Sequence, residues 1–118
     1  MSIEAQLVAR LKANANLVAL VGDRIYPLTA PQNVVKPYIT YQIINELGMQ
    51  CMSGNTYQED VRVQIDCWSL SYGQVISIKD EVKSSIALWK ASSEVSTMDG
   101  YENDAKLFRK LIDFNIKE

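Results

Sequence analysis

The sequence has no histidine among its 118 residues. This removes the side chain most used for proton transfer near neutral pH and the commonest metal ligand, so Ser-His-Asp and Cys-His catalysis are excluded. The two cysteines, Cys51 and Cys67, are too few and too far apart for a zinc site. The five glycines form neither a G-x-G-x-x-G fingerprint nor a P-loop, which leaves nucleotide binding without support. The longest apolar run, Leu17 to Val21, falls far short of the ~20 residues that cross a bilayer, and nothing at the N-terminus resembles a signal peptide. A soluble protein of a reducing, cytoplasmic compartment is expected, with no membrane partner and no cofactor.

An excess of basic charge is also missing. Twelve Lys and Arg stand against fourteen Asp and Glu, for a net charge of -2 and a pI near 5.1. That balance lacks the basic stripe that grips nucleic acid through counterion release, so DNA is not expected to be held. What the chain does have is apolar content, 47% of residues at 13.3 kDa. A chain of this size buries roughly two thirds of its unfolded surface and forms one core without staples. A single domain over residues 1–118 is expected.

The prolines, Pro27, Pro31 and Pro37, cluster in one stretch, the main loop. Before it, Ser2 can cap a helix with Glu4 in its first turn and Ile3, Leu7 and Leu11 on one stripe, ending near Asn14 to Asn16. Leu17, Val18, Leu20 and Val21 then make a compact apolar turn closed by Gly22, and Arg24 to Tyr26 form a short strand. After Pro37, Ile39, Tyr41 and Ile43 alternate with Thr40, Gln42 and Ile44, which predicts a strand. Residues Gly48 to Thr56 read as the connection of a long hairpin. Its returning strand sets Val61, Val63, Ile65 and Cys67 against Arg62, Gln64, Asp66 and Trp68.

Ser71 with Gln74 is a capping box, followed by Val75, Ile78, Val82, Ile86 and Trp89 at helical spacing. Lys79, Asp80, Lys83, Ser84 and Lys90 make its solvated side. In the last hairpin, a turn at Asp99-Gly100 would pair little, whereas one at Asn103 to Ala105 sets Glu102 opposite Lys106 and Asp99 opposite Arg109. The final strand then runs from about Leu107 to Ile116, with Phe108, Ile112, Phe114 and Ile116 on one face. The predicted class is α+β: an antiparallel sheet of about four strands built from two hairpins, with the N-terminal helix and the long helix packed on one face.

Candidates for chemistry are sparse. Asp66, Asp113 and the neighbouring Glu59 and Asp60 read as solvent-face charges. Cys67 falls on a buried register as a small core hydrophobe, and Cys51 reads as a plain free thiol in a loop. More informative is an apolar surplus on strand faces that should be wet. Trp68 projects with Arg62, Gln64 and Asp66, Leu107 and Leu111 share a face with Arg109 and Asp113, and Ile44 lies beside Thr40 and Gln42. One reading is a protein interface, and the other is the scatter of apolar residues ordinary on any surface. Met49, Met52 and Tyr57 project from the hairpin connection, either as a docking arm or as a mobile loop. The expected contact residues are therefore Met49, Met52, Tyr57, Arg62, Gln64, Trp68, Leu107, Arg109 and Leu111.

Four groups of residues form one set: Gly22, Arg24, Ile25, Tyr26 and Pro27; Pro37-Tyr38 with Tyr41-Gln42; Val63-Gln64-Ile65-Asp66-Cys67-Trp68; and Phe108-Arg109 with Asp113-Phe114. In order and spacing the set resembles the small bacteriophage tail-completion family, which includes tail-to-head joining proteins and is similar in role to tail terminators. The resemblance implies a non-enzymatic subunit that forms a ring, a hexamer, on the last ring of a finished tail tube. It would stop polymerisation there and join the tail to the head. Its implied partners are sister copies, the tail tube protein and a head connector protein, with DNA passing through unheld. Its implied location is the head–tail junction of the virion, after assembly in the host cytoplasm. The last hairpin is shorter than the family's usual one. Two alternatives stand beside this: a small metabolite-binding or enzymatic domain with Asp66, Tyr41 and Arg62 lining a pocket, and a head-side connector or adaptor.

Overall fold

The computed structural model describes residues 2–50, 56–87, 89 and 93–117, with side chains described for all of these except 45–50, 56–60, 93–95 and 117. In chain order the elements are α1 (Ile3–Ala13), α2 (Ala15–Val21), β1 (Ile25–Pro27), β2 (Tyr38–Gln50), β3 (Thr56–Ser69), α3 (Tyr72–Ile86), β4 (Ser93–Glu102) and β5 (Leu107–Lys117).

The two N-terminal helices share one residue as their hinge. Ser2 caps α1 by accepting from the Ala5 amide, and α1 ends at Asn14, whose own amide bonds back to the Leu11 carbonyl. The Asn14 side chain then accepts from the amides of Asn16 and Leu17, so the same residue starts α2. This is why Leu17 to Val21 form a regular helix rather than the expected compact turn. Gly22 closes it at φ 61°, ψ -132°, a backbone conformation that side chains resist.

The sheet has five strands in the order β1-β2-β3-β5-β4. β2–β3, β3–β5 and β4–β5 are antiparallel, as two hairpins require, while the short β1 pairs in parallel with β2 as Ile25↔Ile39 to Pro27↔Tyr41. The class is α+β as expected, and β1 adds a fifth, parallel strand at the edge. The long hairpin reaches further than its sequence suggested: Gly48 to Gln50 and Thr56 lie in strands, with Gly48↔Glu59 and Gln50↔Thr56 in register.

One face of the sheet carries the core. Ile39, Val63, Ile65, Cys67, Ile112 and Ile116 are fully covered there by α1 (Leu7, Leu11), α2 (Leu17, Val21) and α3 (Val75, Ile78, Val82). At about 25 cal/mol per Å² of apolar surface removed from water, this layer supplies the main drive for folding. α3 starts at Ser71, whose hydroxyl accepts from the Gln74 amide. The Gln74 side chain accepts instead from the Ser69 hydroxyl at 2.6 Å, which in turn accepts from the Ser71 amide at 3.1 Å, so the expected capping box closes through Ser69.

The last hairpin turns where expected but one residue out of the expected register. Asn103 to Lys106 form a four-residue turn with Lys106 at φ 55°, so Glu102 faces Leu107 and Asp99 faces Lys110. Asp99 is accordingly ion-paired to Lys110 and not to Arg109.

Candidate functional site

All three helices pack against the same face of the sheet, and among the described residues no element lies over the other face. Strand alternation sends Arg62, Gln64, Asp66 and Trp68 of β3 to that open side, beside Arg109, Leu111 and Asp113 of β5. Six of the nine expected contact residues, Arg62, Gln64, Trp68, Leu107, Arg109 and Leu111, thus share one surface. Met49 and Tyr57 lie on the distal strands of the hairpin, and Met52 and Cys51 lie outside the described residues.

The open face satisfies its own charges. Arg62 donates two hydrogen bonds to Asp113, Nε to Oδ1 at 3.0 Å and Nη2 to Oδ2 at 2.6 Å, a bidentate pair. Arg109 Nη2 and Nε donate to Asp66 Oδ1 at 3.0 and 3.2 Å, and the Gln64 amide also donates to Asp66. The hydrogen bond to Asp113 and its negative charge hold the Arg62 guanidinium above its ordinary pKa. Asp113 is buried, at 6% exposed, and Asp66 is half-buried. Neither is the free solvent-face carboxylate expected from the sequence, because each is drawn down onto the sheet by an arginine on the neighbouring strand.

An aromatic ladder continues this face. Tyr26 meets Tyr38 edge-on at 6.4 Å, Tyr38 stacks on Trp68 at 6.0 Å, and the Arg109 guanidinium lies 5.2 Å from the Trp68 ring. The Trp68 indole donates to the Thr40 hydroxyl at 3.1 Å, which buries Thr40. Burial and then the Glu102 charge raise the Tyr38 pKa. Tyr26, Tyr38 and Thr40 were missed as members of the site. For Tyr38 and Thr40 the signal was present, since they share parity with Gln42 across from Trp68. For Tyr26 no signal was available, because it reaches the ladder only through the parallel β1–β2 pairing.

The expected apolar surplus is smaller than the sequence suggested. Leu107 is 2% exposed and so is not an available contact residue, while Trp68 and Leu111 are half-buried. The side chains of the open face cover part of their own apolar surface, without any helix. The metabolite-pocket alternative meets a plain geometric obstacle: Tyr41 is buried on the helix side of the sheet, and Asp66 and Arg62 lie on the other. The three residues line no common pocket. Cys67 is fully buried in the core as expected, and burial followed by the adjacent Asp66 charge drives its thiol pKa strongly upward, away from nucleophilic chemistry.

Beyond this face the long hairpin continues alone. β5 pairs with β3 only as far as Asp60, so among the described residues 48–50 and 56–59 pair with each other and with no third strand. This arm fits the elongated shape of the molecule, 52 × 29 × 23 Å.

Comparison with curated proteins returned no match. Among solved structures, a chain of one titled "Virion of native gene transfer agent (GTA) particle" has the same fold, with a TM-score of 0.80 at 15% sequence identity over 98% of this chain and 93% of that one. A family model described as Tail completion protein gp17 matches residues 5–117, nearly the whole length. The chain therefore belongs to the tail completion protein gp17 family of phage tail structural proteins.

Proposed function

We propose that this chain is a single-domain subunit of a ring, six copies to the ring, that caps a phage tail tube, ends its polymerisation and joins the tail to the head. Family membership over residues 5–117 is the observation that carries this reading. Two features of the fold support it: a sheet face free of helices, and a two-stranded arm that extends past the rest of the sheet. The subunit offers one surface complementary to the end of the tube and another that the next tube subunit cannot use, so growth stops for want of a template.

The contact residues proposed are Met49 and Tyr57 on the arm and Met52, which lies between them in the sequence, with Arg62, Gln64, Trp68, Arg109 and Leu111 on the open face. The charge-paired Arg62 and Arg109, with Gln64, set among Trp68 and Leu111 suit a surface that meets its partners late and reversibly, since interfaces of this kind are only about as apolar as ordinary surface. The partners are sister copies, the tube protein and a head connector, at the head–tail junction of the particle. With a net charge of -2, the subunit suits a channel through which DNA slides without sticking.

Deletion of the gene in the phage or prophage that encodes it, followed by electron microscopy of the lysate, tests this reading. Overlong or unjoined tails beside full heads are expected. Normal virions would overturn it.

A further inference from the structure

The exposed apolar side chains lie chiefly at the two edges of the sheet, not at its centre. At the β1 edge, the loop 28–36 presents Leu28, 69% exposed, and Val35, 64% exposed. Leu28 sits at φ 63° inside a γ-turn closed by the Thr29 amide on the Pro27 carbonyl, while its own amide bonds to the Tyr41 carbonyl. Turns of this hand are rare and strained for a residue with a Cβ. Strain that holds a leucine out in water serves nothing inside the subunit.

At the opposite edge, β4 has no partner on its outer side among the described residues. Along it Tyr101 and Tyr72, 50% and 42% exposed, both pack on Phe108 at 5.0 and 5.5 Å on the helix side, and Met98, 57% exposed, projects from the other face of the same strand opposite Leu111, so the edge is apolar on both faces. The charges of the two edges differ. Lys36 is the only charged residue of the loop 28–36, whereas residues 98–106 carry Glu102 and Asp104 against Lys106, beside Asp99, which is already paired to Lys110.

We propose that the strained loop around Leu28 and Val35 docks on the Met98–Tyr101–Tyr72 edge of a second copy of this chain. It rests on the self-assembly proposed above and names its surfaces. The edges lie four strand spacings apart, about 19 Å, so each copy uses two different patches; such a contact is heterologous, the kind that makes a ring when its rotation closes. The apolar loop with its lone lysine meets an apolar, acid-rich edge, which sets both fit and direction.

Two experiments test this in the phage that encodes the chain. Leu28→Asn keeps a residue that tolerates positive φ but removes the apolar knob. The purified variant should melt no lower than the parent, while infectious titre falls at least tenfold; unchanged titre would overturn the proposal. In a Cys51→Ser background, Leu28→Cys combined with Tyr101→Cys or Met98→Cys should give a ladder of cross-linked subunits from oxidised particles, with no ladder from the single variants. Particles that carry the double variants without any ladder would show that Leu28 meets another partner. That result would sink this interface and leave the tail-completion reading, which the gene deletion tests separately, in place.

Discussion

Single residues carry a large part of this fold's specification. Asn14 ends α1, starts α2 and donates to Ser85 Oγ and to the Glu81 carbonyl of α3 at 2.9 and 3.1 Å, tying three helices together. Asn14→Ala is expected to cost about 1–2 kcal/mol, at the upper end for a helix cap, measured as a lowered urea midpoint with unchanged slope. Gly22 holds φ 61°, and a Cβ there would meet the Arg24 guanidinium at 3.3 Å. Gly22→Ala is accordingly expected to cost about 1–3 kcal/mol by the same measurement.

Acid and alkali should act on different residues. The hydrogen bonds from Lys110 and Tyr72 lower the Asp99 pKa below 3.8, so Asp99 contributes stability above that value, and the contribution is lost as the pH falls through its folded pKa. Lys110 is raised above 10.5, chiefly by the hydrogen bond to Asp99, so its part is full below 10.5 and is lost at higher pH. Tyr38 and Tyr41, raised above 10.0 chiefly by burial, weaken the fold in the same alkaline direction. With no histidine to titrate between, thermal melts should give a flat top across neutral pH and fall on both sides, and Asp99→Asn should blunt the acid limb and, by removing the partner of Lys110, the lysine part of the alkaline limb, leaving the tyrosine part in place.

At the scale of elements, periodicity made the long ones legible. The stripe of Val75, Ile78, Val82 and Ile86 in α3 and the alternation of Val61 to Cys67 in β3 both face the core as their spacing dictates. Non-local features were not legible. The short strand expected at Arg24 to Tyr26 forms as β1, one residue further along, but its parallel partner is set by chain folding beyond any local signal. The last hairpin slipped by one register because Lys106 adopts φ 55°, a conformation that lysine composition does not announce. The observed pairing of Asp99 with Lys110 has a direct test: Asp99→Lys should lower the melting temperature, and adding Lys110→Asp should restore most of it. Restoration by Arg109→Asp instead would support the other register.

At the scale of the whole molecule, sequence pattern separated the two faces of the sheet but not what each side chain does on them. Parity placed Arg62, Gln64, Trp68 and Arg109 together, yet the burial of Asp113 beneath Arg62 depends on a cross-strand pair that no spacing reveals, and nothing in the spacing marks Leu107 as buried. The arm belongs to this scale too, since only the end of β5 at Lys117 opposite Asp60 shows where the hairpin leaves the body. Because residues 48–50 and 56–59 pair only with each other among the described residues, replacing 49–58 by a two-residue Asn-Gly turn, which keeps Gly48 opposite Glu59, should leave the melting temperature within about 4 °C, corresponding to less than about 1 kcal/mol. The same change should abolish tail completion, scored by electron microscopy of lysates.

The placement of every helix on one side of the sheet has a final consequence, one of symmetry. Nothing within the subunit exchanges its two sides, and rotation about an axis carries a subunit round without ever turning it over. Any closed circle of such copies therefore has an obverse and a reverse that are chemically unlike, so two different partners can each be met by a different side of the same subunit.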